Sequence, residues 1–471
     1  MEPLRSDLQL FELAPTQEVQ WEEMCADSPG DPGSSRNLVM DCRTFQGRLD
    51  RDRLEAAVAG VMRRHDSLRL IFEDPGLRPA MRIDDDVRPP LAWHSVQELG
   101  EPQRDEARNG ILWRAFAKPF AATAEPLWRL TVVRTGPESH VLAALFSHVV
   151  ADGYSCDVFY RDLVAYYTGA DGDLRPAPRL RDILDRQERD YAVTPERLAY
   201  WRDQLGPCLE RPALQPDLQP EHVDVLRREY TFFPLPEASV EGIRRTAWLA
   251  RTTPFLTLLA AYHVTLTLLT GKRETAVVTS TTGRRNALDR AAVFQMARYP
   301  YVALAVDRDD TLVGLARRVH ETIEVGIDSL IPYTDLAAAV NPDFAAARPW
   351  PDVNLIDGTL HSWPSGGDDI VAPGLIVTQI PNPVPPPSET IAGRRCAVPA
   401  AGDLPAELAG CRPGLTVSLE RDRCVVFFND QLWSAAAIER LRTTFVEVAG
   451  CFAAAPESTV GEVADAVQRT P

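Results

Sequence analysis

At 471 residues, with 45% hydrophobic and 25% charged residues, the chain has the make-up of an ordinary soluble globular protein; at about 150 residues per domain it is expected to hold two or three domains. The formal net charge of −17 works against non-specific nucleic-acid binding, the start Met-Glu-Pro-Leu-Arg has no secretory pattern, and the longest apolar stretch, 255–269, is too short to span a bilayer. Eight cysteines with no C-x-x-C spacing argue against a zinc site or a disulfide framework and suit a reducing cytosol, so a cytoplasmic protein with no metal, membrane or nucleic-acid partner is expected.

In chain order, residues 13–24 read as a short helix started by Pro15 and Thr16, and 27–36 as a polar loop. A strand at 37–45 leads to Asp52-Arg53-Leu54-Glu55, a capping-box pattern. Leu54, Val58, Val61, Met62 and His65 then form an apolar stripe of helical period, and a strand resumes at 68–72. Residues 83–93 are expected to be extended, 112–120 helical or irregular, and 128–134 a strand.

Residues 146–155 read F-S-H-V-V-A-D-G-Y-S. Strand-formers and small residues at 141–146 lead in. Behind them Ser155 reads as an N-cap with Asp157 in the first turn, and Phe159, Leu163 and Tyr166 follow at helical spacing. The stretch is expected to be a buried strand, a tight turn and a helix, with His148 at the strand's end. Asp152 lies close enough in sequence to fold back toward the imidazole, and Gly153 lets the backbone turn without a Cβ clash. A histidine held there can take a proton from a nucleophile, because an imidazole ordinarily titrates near neutral pH. By itself the stretch fits a structural histidine as well as a catalytic one.

Two helices are expected within 181–205, the second started by Thr194-Pro195 and ended by Gly206. The proline-rich segment 207–220 reads as a linker. Beyond it come a buried helix between Thr253-Pro254 and Gly271, a strand at 275–282 and a helix at 312–327. Residues 373–387 are proline-dense and read as an extended bridging loop rather than a central strand. A hairpin of 415–420 and 424–428, a helix from Ser434 to about Phe452 and a short last helix complete the chain. Strands mixed with helices predict an α/β (α+β) fold, divided into an N-terminal lobe 1–178, a helical connection and linker 179–226, and a C-terminal lobe 227–471.

Five stretches then carry a resemblance. The segment 13–24 looks like a family's opening element with its Gln. Residues 64–72, R-H-D-S-L-R-L-I-F, are close to an R-H-x-x-L-R-x-x-F element. Residues 147–153, S-H-V-V-A-D-G, match H-H-x-x-x-D-G except at the first position. Tyr191 with Tyr200-Trp201, and Thr282-Gly283-Arg284, are similar to later motifs. In this order they resemble the condensation domains of nonribosomal peptide synthetases, within the chloramphenicol-acetyltransferase-like superfamily.

That resemblance implies two similar lobes in a V, each a mixed sheet flanked by helices, with an active-site tunnel between them and 373–387 in a crossover that latches them. It implies a condensation enzyme, an acyltransferase of secondary-metabolite biosynthesis, that joins a carrier-bound acyl thioester to an amine or a hydroxyl, free or carrier-bound. No cofactor is then held by the protein itself, since the substrate arrives on the phosphopantetheine arm of a carrier protein. With no adenylation or carrier domain after Pro471, a free-standing monomer acting in trans is expected.

Carried over by position, His148 is the catalytic base, and Gly153 places its N–H near the developing oxyanion. Asp152 and Arg284 form a buried structural pair, and Ser147 stands where the family has a structural first His. The plant CoA-dependent element D-F-G-W-G is missing, with Asp357-Gly358-Thr359 near its place. Two other readings stay open: a CoA- or lipid-dependent O-acyltransferase of the same fold, and a non-catalytic recruitment module with Ser147 as its symptom. His65 and His263 are expected to be packing residues, Cys156 a helix-core thiol rather than a nucleophile, and Tyr200-Trp201 core.

Overall fold

A computed structural model describes residues 9–26, 38–73, 79–208, 214, 216–218, 229–340, 354–357, 370–372, 374–380, 415–419 and 423–468. The chain divides into two compact units. The first is Met1–Arg189 with Thr282–Ala297 and Leu360–Ala392, and the second is Asp190–Thr281 with Arg298–Thr359 and Gly393–Pro471. This differs from the contiguous lobes expected from sequence, and distant pairing is the reason. Strand Leu375–Ile380 hydrogen-bonds along Leu38–Gln46 in the first unit. Helix Leu180–Asp190, expected in the connection, also belongs there up to Arg189: the Leu180 N–H donates to Asp66 at 2.9 Å, and Leu180 and Ile183 sit in that unit's core.

The first unit is built on a six-stranded sheet in the order Ile370–Ala372, Leu375–Ile380, Leu38–Gln46, Ser139–Ser147, Trp128–Gly136, Leu91–Ser95. All pairs are antiparallel except the last, which is parallel. Alternation sorts the central strand: Phe45 joins the main core with helices Arg51–Arg64 and Gly153–Thr168, while Cys42 faces Leu112 of helix Gln103–Ala117. The second strand corrects the reading of 373–387. The prolines of that stretch flank Leu375–Ile380 without interrupting it, so its N–H groups remain free to pair on both sides. The residues around 381–387 lie outside the described set.

The second unit has a mixed sheet in the order Glu229–Pro234, Arg423–Phe428, Leu415–Leu419, Asn354–Asp357, Glu274–Val278, Tyr301–Ala305. Asn354–Asp357 runs parallel to both neighbours. Helices Glu237–Ala250, Pro254–Thr270, Leu312–Asp328 and Ala435–Ala454 contribute to the main core of this unit. Trp201, Leu205, Tyr301, Leu330 and Leu336 form a second apolar cluster. The strand expected at 275–282 is shorter, Glu274–Val278. The linker 207–220, the polar loop 27–36 and Gly358-Thr359 lie largely or wholly outside the described residues.

Gly242 marks a close helix crossing: a Cβ there would meet the Ala453 carbonyl oxygen at 2.6 Å and its Cα at 2.7 Å. Because the obstacle is backbone, it cannot swing away. Gly242→Ala is therefore expected to lose about 1–3 kcal/mol in urea unfolding, although alanine is the better helix former by about 1 kcal/mol. A gain in stability would show that the two helices can part without loss.

Candidate active site

The motif strand Ser139–Ser147 runs between Leu38–Gln46 and Trp128–Gly136, so it is paired on both sides and its end is fixed. The Ser147 N–H still reaches the Leu127 carbonyl at 2.8 Å. The chain then turns tightly, with the Val150 and Ala151 N–H groups on the Ser147 carbonyl at 3.1 and 3.2 Å, and enters helix Gly153–Thr168. Ser147 is fully buried, and its Oγ accepts from the Val149 N–H at 3.3 Å. A small hydroxyl thus fits the strand terminus and takes up one turn N–H. Of residues 147–156 all are buried except His148, whose burial is intermediate. Its ring Nδ1 is screened from solvent.

The helix cap differs from the expectation. Asp152, not Ser155, is the N-cap: its Oδ1 accepts from the Ser155 N–H at 2.9 Å, and Ser155 Oγ reaches back to the Asp152 N–H at 3.3 Å. Ser155 is the third helical residue, the reciprocal partner in a capping box. Asp50 likewise replaces Asp52 as cap of helix Arg51–Arg64, accepting from the Arg53 N–H at 2.9 Å. Gly153 is the first helical residue and has no positive φ, so it does not serve as a left-handed hinge. That role falls to Gly283, whose φ of 63° shapes the turn before Arg284.

Asp152 does not fold back on the imidazole; its carboxylate is committed elsewhere. Arg284 grips it with two bonds, Nη1 to Oδ2 at 2.7 Å and Nη2 to Oδ1 at 2.9 Å. The Met296 and Ala297 N–H groups add two more to Oδ2, each at 3.0 Å. The guanidinium also donates to the Thr282 carbonyl at 3.0 Å and lies 4.5 Å from the centre of the Tyr154 ring. Both partners are buried. Burial alone would raise the Asp152 pKa, but the Arg284 charge, its hydrogen bonds, and those from Met296 and Ser155 outweigh it and hold it below 3.8.

Two further polar clusters fix the motif helix. Arg43, on the central strand, donates to Asp41 at 3.0 and 3.1 Å and to Asp157, and lies over the Tyr160 ring at 4.5 Å. The Tyr160 hydroxyl meets the Asp41 and Leu142 carbonyls at 2.9 and 2.8 Å and accepts from the Ala144 N–H at 3.1 Å. One turn later, Asp162 accepts from Arg64 Nε at 2.7 Å and pairs with His65 Nε2 at 2.9 Å. The Val293 N–H points at His65 Nδ1 at 3.4 Å, so Nε2 carries the proton toward Asp162. Burial lowers the His65 pKa despite Asp162, which fits a neutral ring.

Other predicted residues fall into place as structure. His263 is buried against Thr275 Oγ1 at 2.7 Å, and burial lowers its pKa to about 3. Cys156 is buried and its thiol is pushed well above 9.0 by burial, which removes the thiolate a nucleophile needs. Trp201 is buried, donates to the Ser329 carbonyl at 2.7 Å, and packs edge-on against Tyr200. The sequence reading missed Asp41, Arg43, Asp162 and the 292–297 segment, and it placed Asp157 in the helix's first turn without its Arg43 partner. Charged residues alternating on an otherwise apolar strand, D-C-R, were the available signal for the first two.

A family model described as "Condensation domain" matches residues 30–348. Chondramide synthase cmdD of Chondromyces crocatus is 29% identical over 343 residues, 70% of this chain but 8% of that protein. Phosphinothricin tripeptide synthetase PhsB of Streptomyces viridochromogenes is 28% identical over 64% of this chain and 26% of its own length. This chain therefore spans only a small part of the curated relatives it matches. The condensation domain from Monacolin K polyketide synthase MokA has a similar fold, with a TM-score of 0.73 at 16% identity, covering 96% of this chain and 99% of that one. Among the described residues no single helix is long and apolar enough to cross a membrane.

Proposed function

This chain belongs to the condensation-domain family, and from that premise we propose that it transfers an acyl or aminoacyl group from a carrier-protein thioester to an amine or hydroxyl, forming an amide or an ester. One observation carries the proposal: from Ser147 to Cys156 every residue is buried except His148, whose burial is intermediate, so the catalytic candidate is the residue of the motif least shut off from a substrate. The surrounding bonds hold the turn backbone that carries His148, so the position of its Cα needs no further ordering when a substrate arrives.

In this reading His148 accepts the proton of the acceptor N–H or O–H as that atom attacks the thioester carbonyl. The new C–N or C–O bond forms, the C–S bond breaks, and the pantetheine sulfur departs and is protonated as a thiol. General-base help of this kind supplies on the order of 10²–10⁴ in rate. Gly153, at the start of the motif helix, offers an N–H of the kind that stabilises an oxyanion. Asp152 and Arg284 hold the loop and take no part in proton transfer. Ser147 supports the strand end, so the absence of the family's first His is compatible with catalysis.

The test presents one acyl chain both on a carrier protein and on CoA, with an amine and an alcohol offered to each, and reads products by mass. Acceptor-dependent product from the carrier thioester is expected. Product from CoA alone would move the reading to a CoA-dependent acyltransferase, and no product from any pair, with defined substrates of varied chain, would favour a recruitment module.

A further inference from the structure

The turn that carries His148 is gripped by a side chain from far away in the sequence. Gln17 lies in helix Pro15–Ala26 and is fully buried. Its Nε2 donates to the carbonyl of Val149, the residue after His148, at 2.8 Å. Its other end is fixed too, because Oε1 accepts from the Ala14 N–H at 3.0 Å. The helix that bears it is anchored by Thr16, whose Oγ1 lies 2.7 Å from Gln187 Oε1 and 2.8 Å from the Gln295 carbonyl oxygen. Val149 is fully buried, so water offers its carbonyl no substitute.

We propose that Gln17 is a positioning residue for His148: by holding the Val149 carbonyl it fixes the peptide plane next to the histidine and hence the direction in which the imidazole projects. Without that amide the buried carbonyl has to find a donor by moving, and the turn moves with it. The Val149, Val150 and Ala151 N–H groups bond back to Ser147 within the turn, and the Asp152 network holds the turn's far end, whereas the Gln17 bond ties the peptide directly after His148 to a separately anchored helix. The kinetic part of this inference rests on the acyl-transfer reading above.

The experiment compares wild type with Gln17→Leu and Gln17→Met, which keep the bulk and remove the donor. With a carrier-bound acyl donor, kcat is expected to fall about 10- to 100-fold while KM for the donor stays the same, as follows when a reacting group is misplaced rather than a binding surface lost. In parallel, protein with 13C-labelled histidine is titrated by NMR. The His148 ring signal is expected to shift in both variants, while that of His94, on the strand Leu91–Ser95, stays in place. An unchanged kcat in a folded variant, an unmoved His148 signal, or loss of the fold in both variants overturns the proposal. If wild type transfers no acyl group, the functional reading fails by itself, and the His148 signal alone then decides whether Gln17 orients the ring.

Discussion

Asp152→Ala is expected to cost the protein about 3–5 kcal/mol, the usual result of removing one partner from a buried ion pair. The reason is Arg284. Its side chain is 1% exposed, and with Asp152 gone its charge stays buried facing carbonyl and hydroxyl oxygens and the Tyr154 ring, with no carboxylate among the described residues bonded to it. The Met296 and Ala297 N–H groups and the cap of the motif helix lose their acceptor at the same time. Thermal or urea unfolding followed by circular dichroism reads the loss. Replacing both partners by leucine removes the stranded charge as well and is expected to recover part of it. A melting curve for Asp152→Ala that overlays the wild type would contradict this account.

The same pair sets a pH dependence. The Asp152 pKa is lower in the folded protein than the ordinary 3.8, so above 3.8 the pair's stabilisation is fully present. As pH falls below 3.8 toward the folded-state value, the unfolded chain binds a proton that the folded one refuses, and the stabilisation is lost. Asp152→Asn is therefore expected to show a shallower loss of stability below pH 3.8 than wild type. An identical acid profile would mean that other carboxylates govern acid unfolding.

His148→Ala is expected to lower kcat by about 10²–10⁴ while leaving the melting curve unchanged. The two halves of that statement have separate causes. The activity falls because the proton acceptor is gone. The fold is expected to persist because the turn backbone is held by Ser147, Gln17 and the Asp152 network. His148→Gln keeps polarity and some of the size but cannot accept and hold a proton at neutral pH, and should be as impaired. Full activity in either variant would shift the role of the site to positioning alone.

The motif stretch was legible because its signals are local. Strand-formers, a turn and helical spacing all lie within residues 141–166, and the structure has Ser139–Ser147 followed by Gly153–Thr168. The cap was misassigned for an equally local reason: Asp152 and Ser155 are both good caps three residues apart, and only the accepting geometry separates them. What stayed hidden depends on distant contacts. Nothing near Leu375 announces that it will pair with Leu38–Gln46, and nearby prolines argue the opposite. Gln17 and Val149, or Arg43 and Asp157, meet only because separate elements converge. The pairing of Asp152 with Arg284 came from resemblance rather than from spacing, since 132 residues separate them.

The most direct test follows the discharge of an acylated carrier protein by intact mass in a single turnover, with and without acceptor, for wild type and His148→Ala side by side. The account predicts that wild type moves the acyl mass onto the acceptor about 10²–10⁴ faster than the variant, and that the carrier keeps its acyl group when no acceptor is present. Equal rates in the two proteins, or loss of the acyl group to water alone, would contradict it.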